Sequence, residues 1–153
     1  MTERMTVTIE NAQIIFKNFG GAEGQFNAAG DREFSVILDP ENARNLEKSG
    51  WNVKYLKPRE EGDDPTPYLP IKVSYKVRPP TIVMITSTAK TRLDESSVET
   101  LDWADILNAD LIVTPYHWVV GNKSGIKAYL KSLYVTVQED ELERKYSINE
   151  KED

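Results

Sequence analysis

Residues 114–137, TPYHWVVGNKSGIKAYLKSLYVTV, decide the predicted fold. Two runs rich in β-branched and aromatic residues flank the turn-forming segment 121–125, GNKSG, which is the pattern of a β-hairpin with a short loop. Along the second run the period of two sorts the side chains into two faces. The apolar face carries Ile126, Ala128 and Leu130, and the other carries Lys127, Tyr129 and Lys131. The first face can join a core, and the second is cationic with an aromatic ring at its centre.

The first run of this hairpin adds two more rings. Tyr116 and Trp118 share a face, and Pro115 favours a bulge or an edge position just before them. Lysines interleaved with aromatic rings suit single-stranded nucleic acid, because lysines hold phosphates and bases stack on the rings. A Lys-Tyr-Lys row is also typical of a solvated outer face whose lysines discourage edge-to-edge aggregation. These residues alone leave both interpretations open.

Length and composition indicate one ordinary globular domain. The chain has 153 residues, of which 39% are hydrophobic and 29% charged, and it contains no cysteine. Disulfides, thiolate metal sites and cysteine nucleophiles are therefore excluded. No apolar run approaches the length needed to cross a bilayer, and the polar start lacks a signal peptide, so we expect a cytoplasmic protein without membrane contact. We place the folded domain at residues 1–138 and a flexible acidic tail at residues 139–153.

The net charge of -6 hides a segregation along the chain. Residues 44–92 hold ten Lys/Arg against five Asp/Glu, and residues 117–137 hold three lysines and no acid. Residues 93–116 carry six acids and no base, while residues 138–153 carry seven acids against three bases. The local field governs binding more than the total charge does, so an anionic partner remains compatible with an acidic protein.

The remaining segments predict a mainly β protein with two short helices. Residues 32–38 alternate as a half-buried strand, and residues 68–78 alternate most clearly, with a second cationic face on the outside. Asp39-Pro40 opens a helix that Gly50 ends, and residues 94–107 have near-helical spacing behind an Asp94 cap. Hairpins dominate and no βαβ rhythm appears. The architecture predicted is a small antiparallel barrel of the OB type, whose strand faces bind oligonucleotides.

Few residues are available for catalysis. The single histidine, His117, lies between two aromatic residues on a strand, and no nucleotide-binding or nucleophile motif is present. We therefore expect no enzyme activity, no cofactor and no bound metal. One alternative stays open, since acids alone can hold two magnesium ions for phosphodiester cleavage. The candidate ligands of such a nuclease are Glu99, Asp102, Asp105 and Asp110.

Motifs scattered over residues 11–146 resemble small single-stranded DNA-binding proteins encoded by bacteriophages. The principal ones are residues 50–54 (GWNVK), 72–76 (KVSYK), 78–80 (RPP), 101–104 (LDWA) and 127–131 (KAYLK). The resemblance implies an OB-like barrel that binds DNA without sequence preference in phage replication, recombination or repair. It also implies that the acidic tail docks partner proteins, although the tail lacks the terminal aromatic residue that several relatives carry. Whether the chain forms a homodimer stays open.

Our candidate DNA-binding residues combine basic and aromatic side chains. The basic set is Lys54, Lys57, Arg59, Lys72, Lys76, Arg78, Lys123, Lys127 and Lys131, and the stacking set is Tyr116, Trp118 and Tyr129. Trp51, Tyr75 and Trp103 are expected in the core, because they lie among aliphatic residues at strand or helix spacing. The competing hypothesis, besides the nuclease, is a β-rich protein-interaction or virion-assembly module whose basic strands are plain surface.

Overall fold

The fold is one mixed β-sheet with a single α-helix, in a computed structural model that describes residues 6–22, 30–76 and 78–138. The helix, α1, spans Pro40–Lys48, and a 3-10 helix spans Val98–Asp102. The strands in chain order are β1 (Val7–Ile9), β2 (Ile14–Asn18), β3 (Arg32–Ile37), β4 (Lys54–Leu56), β5 (Thr66–Val73), β6 (Thr81–Ile85), β7 (Lys90–Leu93), β8 (Ile106–Val120) and β9 (Lys123–Val137). The prediction of a mainly β protein is confirmed.

The sheet follows the strand order β1-β8-β9-β5-β3-β2, with β4 added to β5 and with β6 lying between β7 and β9. Most neighbouring strands are antiparallel, but β9 runs parallel to both β5 and β6. The prediction of a purely antiparallel sheet was therefore wrong at these two pairings. In the described ranges β1 and β2 stand at the two ends of the order, so a closed barrel is not confirmed.

The core lies on one face of the sheet, where the period of two places the apolar residues. On β5, Leu69 and Ile71 are fully buried, and on β3 Phe34 is fully buried and stacks on Phe19 with 4.9 Å between ring centroids. Trp51 is 8% exposed, as expected for a core residue. Aromatic rings of this size bury the largest apolar area per residue, so they dominate the stability of such a core.

The first predicted helix is confirmed at both ends. Asp39 is the N-cap, its carboxylate accepts a hydrogen bond from the backbone N–H of Asn42, and Pro40 fills the first helical position. Gly50, with φ of +97°, carries the chain out of the helix in the left-handed region that favours glycine. Among the described residues no helix has the length and apolarity to span a bilayer.

The second predicted helix is not confirmed as an α-helix. Residues 94–107 contain only the five-residue 3-10 helix, and β8 already begins at Ile106. The Asp94 carboxylate accepts hydrogen bonds from the backbone N–H groups of Ser96 and Ser97 and from both hydroxyls, which lowers the pKa of Asp94. This turn competes with helix initiation. Trp103 follows the 3-10 helix and is 82% exposed, so its assignment to the core was also wrong.

The strand predicted over residues 68–78 ends early. Its pairing with β9 covers Ile71 and Lys72, opposite Ala128 and Tyr129, and then β6 takes over the same edge of β9 from Ser132 onward. Since one edge can pair with only one strand at a time, the chain leaves the sheet after Val73. Tyr75 is half-buried, and burial raises the pKa of its hydroxyl. Val77 and the predicted acidic tail at residues 139–153 lie outside the described residues.

Candidate nucleic-acid interface

The outer face of the sheet joins the two cationic strands identified in the sequence. Lys72 of β5 is the direct partner of Tyr129 of β9, and Tyr129 is in turn the partner of Thr114 of β8. One step along the hairpin, Lys127 faces Tyr116. Residues that are direct partners in a sheet project from the same face. The side chains of β5, β9 and β8 therefore form one continuous surface opposite the core.

Two tyrosine rings occupy the middle of this surface. The rings of Tyr116 and Tyr129 meet edge to face, with centroids 5.4 Å apart and planes at 61°. Tyr116 is 53% exposed, so the face of its ring is accessible to a ligand. The two residues sit diagonally across a strand pair, and their edge-to-face contact occupies one face of one ring only. The pair offers two aromatic platforms at different angles.

Trp118 extends the row of rings toward the hairpin turn. It is the partner of Gly125, and its indole lies directly over that residue, since a Cβ added there would come within 2.9 Å of Cζ2. Glycine is thus required for the indole to lie flat on the strand. The indole N–H is buried without a hydrogen-bond partner. The packing fixes the orientation of the ring on the outer face.

On the same face of the sheet, the surface continues from β9 across β5 toward β3 and β2, at the other end of the strand order. Lys54 of β4 is the partner of Tyr68, and Phe16 of β2 packs on Tyr68 with ring centroids 5.5 Å apart. From β2 to β8 the order β2-β3-β5-β9-β8 has four strand spacings, which at about 4.8 Å each give roughly 19 Å. We call this whole surface the strand face; its members are Phe16, Glu33, Lys54, Tyr68, Lys72, Tyr116, Trp118, Lys127 and Tyr129.

The strand face is cationic with one carboxylate in its middle. Lys54, Lys72 and Lys127 carry its positive charge, and Glu33 of β3, the partner of Lys72, carries the negative charge. The Lys72 ammonium lies 3.5 Å from Oε2 of Glu33, and both side chains are about one-third exposed. An exposed pair of this kind contributes little to stability. The net charge of the face favours an anionic ligand.

The structure brings some of the predicted DNA-binding residues together and leaves others apart. Six predicted residues belong to the strand face: Lys54, Lys72, Tyr116, Trp118, Lys127 and Tyr129. Six are exposed elsewhere: Lys57 and Arg59 after β4, Lys76 and Arg78 after β5, Lys123 at the start of β9, and Lys131 at a register shift in β9. Strand pairing does not place Lys57, Arg59, Lys76 and Arg78 beside the rings, whereas Lys123 and Lys131 lie on the same side of β9 as Lys127 and Tyr129, toward its two flanks. The role of all six in binding stays a prediction.

Comparison with known proteins identifies the family. The family model of the phage ssDNA-binding domain matches residues 1–152 of the chain. The chain belongs to this family. No curated protein matches it in sequence.

Solved structures agree on the fold of this phage ssDNA-binding domain. The single-stranded DNA-binding protein from bacteriophage Enc34 is similar with a TM-score of 0.55 and 8% identity, over 85% of this chain and 79% of that one. Its C-terminal truncation gives 0.56 and 10%, over 88% and 87%. The Enc34 protein in complex with ssDNA gives 0.51 and 9%, over 88% of each chain. At such identities the likeness establishes the shared fold.

Two of the four carboxylates proposed for the alternative nuclease site, Asp102 and Asp110, hold backbone groups. Asp102 accepts hydrogen bonds from the backbone N–H groups of Phe19 and Gly20, at 2.7 and 2.8 Å. Asp110 accepts one from the backbone of Asn11 at 2.9 Å. Across residues 6–22, 30–76 and 78–138, no three His, Cys, Asp or Glu side chains gather in a metal-binding group. Asp102 therefore holds the end of β2 against the 3-10 helix.

Asp102→Asn tests this role. An asparagine offers one acceptor and one NH₂ donor, so one of the two backbone N–H groups would face a donor. We expect the free energy of unfolding to fall by about 1–3 kcal/mol in urea denaturation. Asp105→Asn, at an exposed acid of the same region, is the matched control and should change it by less than about 0.5 kcal/mol. Equal stability of the two variants would contradict the anchoring role.

Gly125→Ala tests the packing of Trp118. The added methyl group would displace the indole, so we expect faster acrylamide quenching of Trp118 and an oligonucleotide affinity lower by about five- to a hundredfold. The measurement is best made with Trp103→Phe, which removes the signal of the exposed tryptophan. Ser124→Ala, at the adjacent exposed position, should leave both quantities unchanged. Unaltered quenching in Gly125→Ala would show that the contact does not position the ring.

Proposed function

We propose that this phage ssDNA-binding domain binds single-stranded DNA across the strand face, without sequence preference, in phage replication, recombination or repair. The observation that carries the proposal is the parallel pairing of Lys72 with Tyr129, because it merges two separately predicted cationic strands into one surface. Family membership supports DNA as the ligand. The Enc34 protein, which shares the fold, has been solved in complex with ssDNA.

Binding combines an electrostatic and a stacking contribution. Lys54, Lys72 and Lys127 displace counterions from phosphates, so affinity falls steeply as salt rises. Bases stack on Tyr116 and Tyr129, with Trp118 extending the row, each contributing about 1–3 kcal/mol. Both contributions are independent of the base sequence, because every nucleotide has a phosphate and every base has a π-face. The six predicted residues outside the strand face would contact the parts of the bound DNA that extend beyond it.

We further propose that the sheet closes as a barrel of the OB type. The strands at the two ends of the order, β1 and β2, follow each other in the chain. The residues between them are held on both sides, since Ala12 N–H donates to the Ala109 carbonyl at 2.8 Å and Ile37 N–H donates to the Gln13 carbonyl at 3.0 Å. One bent strand, formed by β1 and β2, would then link β8 to β3.

We also propose a cellular location and protein partners for the chain. The chain acts without enzyme activity in the cytoplasm of the host bacterium, and residues 139–153 recruit replication or recombination proteins. A homodimer is the oligomeric state proposed for the chain, and sedimentation equilibrium tests it. Pull-down with a chain ending at residue 138 tests the tail, because partner capture should be lost while oligonucleotide binding persists.

A protein-interaction or virion-assembly module is the second candidate function. Exposed apolar residues favour it, since Trp103 follows the 3-10 helix and Leu107 lies just beyond, at the start of β8. Exposed large apolar side chains that cluster are typical of interaction sites. Trp103→Ser distinguishes the two functions, because it should leave DNA affinity unchanged if binding occurs on the strand face.

Titration with oligo-dT at two salt concentrations tests the proposed function. In the Trp103→Phe background, binding should quench Trp118 fluorescence. Between 50 and 200 mM salt, log K should fall linearly with log salt, and each phosphate contact should contribute about 0.7 to the magnitude of this slope. Absence of binding at low salt would overturn the proposal. Binding that is insensitive to salt would overturn the role of the lysines.

A further inference from the structure

Phe16 adopts a backbone conformation that phenylalanine rarely takes. Its φ is +53°, in the left-handed region, and it lies at a register shift where β2 has one residue more than β3 between Ile15 and Asn18. Glycine commonly fills this position of a β-bulge. A left-handed non-glycine residue costs roughly 1–2 kcal/mol. Such strain persists where the surrounding structure enforces it, and it concentrates at functional sites.

The bulge presents the Phe16 ring at the mouth of a cavity. Phe16 is 59% exposed, so burial of its ring does not account for the strain. The cavity has a volume of about 270 Å³ and is lined by Phe16, Asn18, Glu33, Ser35, Lys54, Tyr68 and Pro70. This is below the roughly 300–1,000 Å³ of pockets that enclose a drug-sized ligand. Its size suits a small planar group such as one nucleobase.

The walls of the cavity combine aromatic and polar groups. Tyr68 and Phe16 meet edge to face, at 70° between planes, so this contact occupies one face of one ring only. The Phe16 side chain remains 59% exposed and accessible to a stacking partner. Ser35 is the one buried polar residue found in the described part of the chain. Lys54 stands beside Tyr68, where it can hold the phosphate of a nucleotide whose base has entered.

Glu33 is the unexpected member of this site. A carboxylate in the middle of a phosphate-binding surface repels the backbone of the ligand, and its 3.5 Å contact with Lys72 adds little stability. A carboxylate is, however, a good acceptor for the exocyclic amino group of cytosine. It repels the carbonyl oxygen that uracil and thymine present at the same ring position. Its place in the cavity therefore discriminates between bases.

We propose that this cavity takes one unstacked base of the bound strand, packed against Phe16, and that Glu33 accepts a hydrogen bond from its exocyclic amino group. The proposal rests on the proposed function, since it concerns one subsite of the strand face. It adds a modest base preference at one position to contacts that are otherwise independent of sequence.

Oligo-dC and oligo-dU of equal length test the subsite, because cytosine and uracil have the same size and differ in the groups at ring positions 3 and 4. Fluorescence anisotropy at pH 8, where cytosine is neutral, gives both affinities. The wild-type protein should bind oligo-dC about five- to tenfold more tightly. In Glu33→Gln the ratio should fall to near one, because the amide offers both a donor and an acceptor. Glu95→Gln, which removes an acid paired with Arg32 at 3.5 Å, is the matched control and should keep the ratio.

Phe16→Gly separates stacking from structure. Glycine relieves the left-handed conformation, so the melting temperature should stay the same or rise, while affinity for both oligonucleotides should drop by at least fivefold.

If Glu33→Gln does not fold, Glu33→Asp replaces it, since the shorter side chain should also reduce the ratio of oligo-dC to oligo-dU affinity. Equal wild-type affinities, or a preference that survives in Glu33→Gln, would overturn the subsite and leave DNA binding intact. Failure to bind either oligonucleotide would instead overturn the proposed function.

Discussion

The variant Tyr116→Ala/Tyr129→Ala is expected to bind oligo-dT at least about 30-fold more weakly than the wild-type protein. The two rings lie on β8 and β9, across β5 from the Phe16 end of the strand face, and each stacked base contributes about 1–3 kcal/mol. Both side chains are only partly buried, so their truncation should lower the free energy of unfolding far less than it lowers affinity. Fluorescence anisotropy at fixed salt measures the change in affinity, and urea denaturation confirms that the variant folds.

The matched control is Tyr134→Ala. Tyr134 is an exposed tyrosine on the same strand, β9, but its partners are Asp110 and Val83 at the other end of the sheet. We expect the affinity of Tyr134→Ala for oligo-dT to equal that of the wild-type protein. A loss as large as that of the double variant would show that stacking is not confined to the strand face.

The variant Lys54→Gln/Lys72→Gln/Lys127→Gln is expected to change the salt dependence of binding. Each phosphate contact with a single strand contributes about 0.7 to the slope of log K against log salt, so the slope should become shallower by about 2. Stacking persists in this variant, which means that its affinity should approach that of the wild-type protein as salt rises. Titrations between 50 and 300 mM salt measure the slope.

Two exposed lysines away from the strand face provide the control. Lys48 ends α1 and Lys90 begins β7, and Lys48→Gln/Lys90→Gln removes two positive charges, one fewer than the triple variant. Its slope should stay within about 0.5 of the wild-type value. An equal reduction of slope in both variants would indicate a diffuse charge effect in place of specific phosphate contacts.

The sequence predicted what depends on local periodicity. Alternation on β9 correctly separated buried Ile126, Ala128 and Leu130 from Lys127 and Tyr129, because a half-buried strand forces a period of two. The capping signals around Asp39 and Gly50 predicted α1 for the same reason, since caps act within a few residues. These parts of the fold follow from short-range rules.

The parts that failed depend on contacts distant in sequence. The end of β5 at Val73 is set by β6, which pairs with the same edge of β9, and no local pattern in residues 68–78 signals this competition. The site residue Phe16 was missed because a bulge in β2 breaks the alternation. The signal for Tyr68 was only its position at the start of a cationic strand. Trp103 was assigned to the core from near-helical spacing, which the Asp94 turn prevents from forming a helix.

Backbone amide chemical-shift mapping with oligo-dT tests the central claim most directly. If the strand face binds DNA, saturating oligonucleotide should shift the amides of the non-proline residues within 68–72, 114–118 and 125–129, together with those around Phe16. The amides near Trp103 and Tyr134 should stay unchanged. Shifts confined to residues 98–110, with the β5, β8 and β9 positions unaffected, would contradict the account.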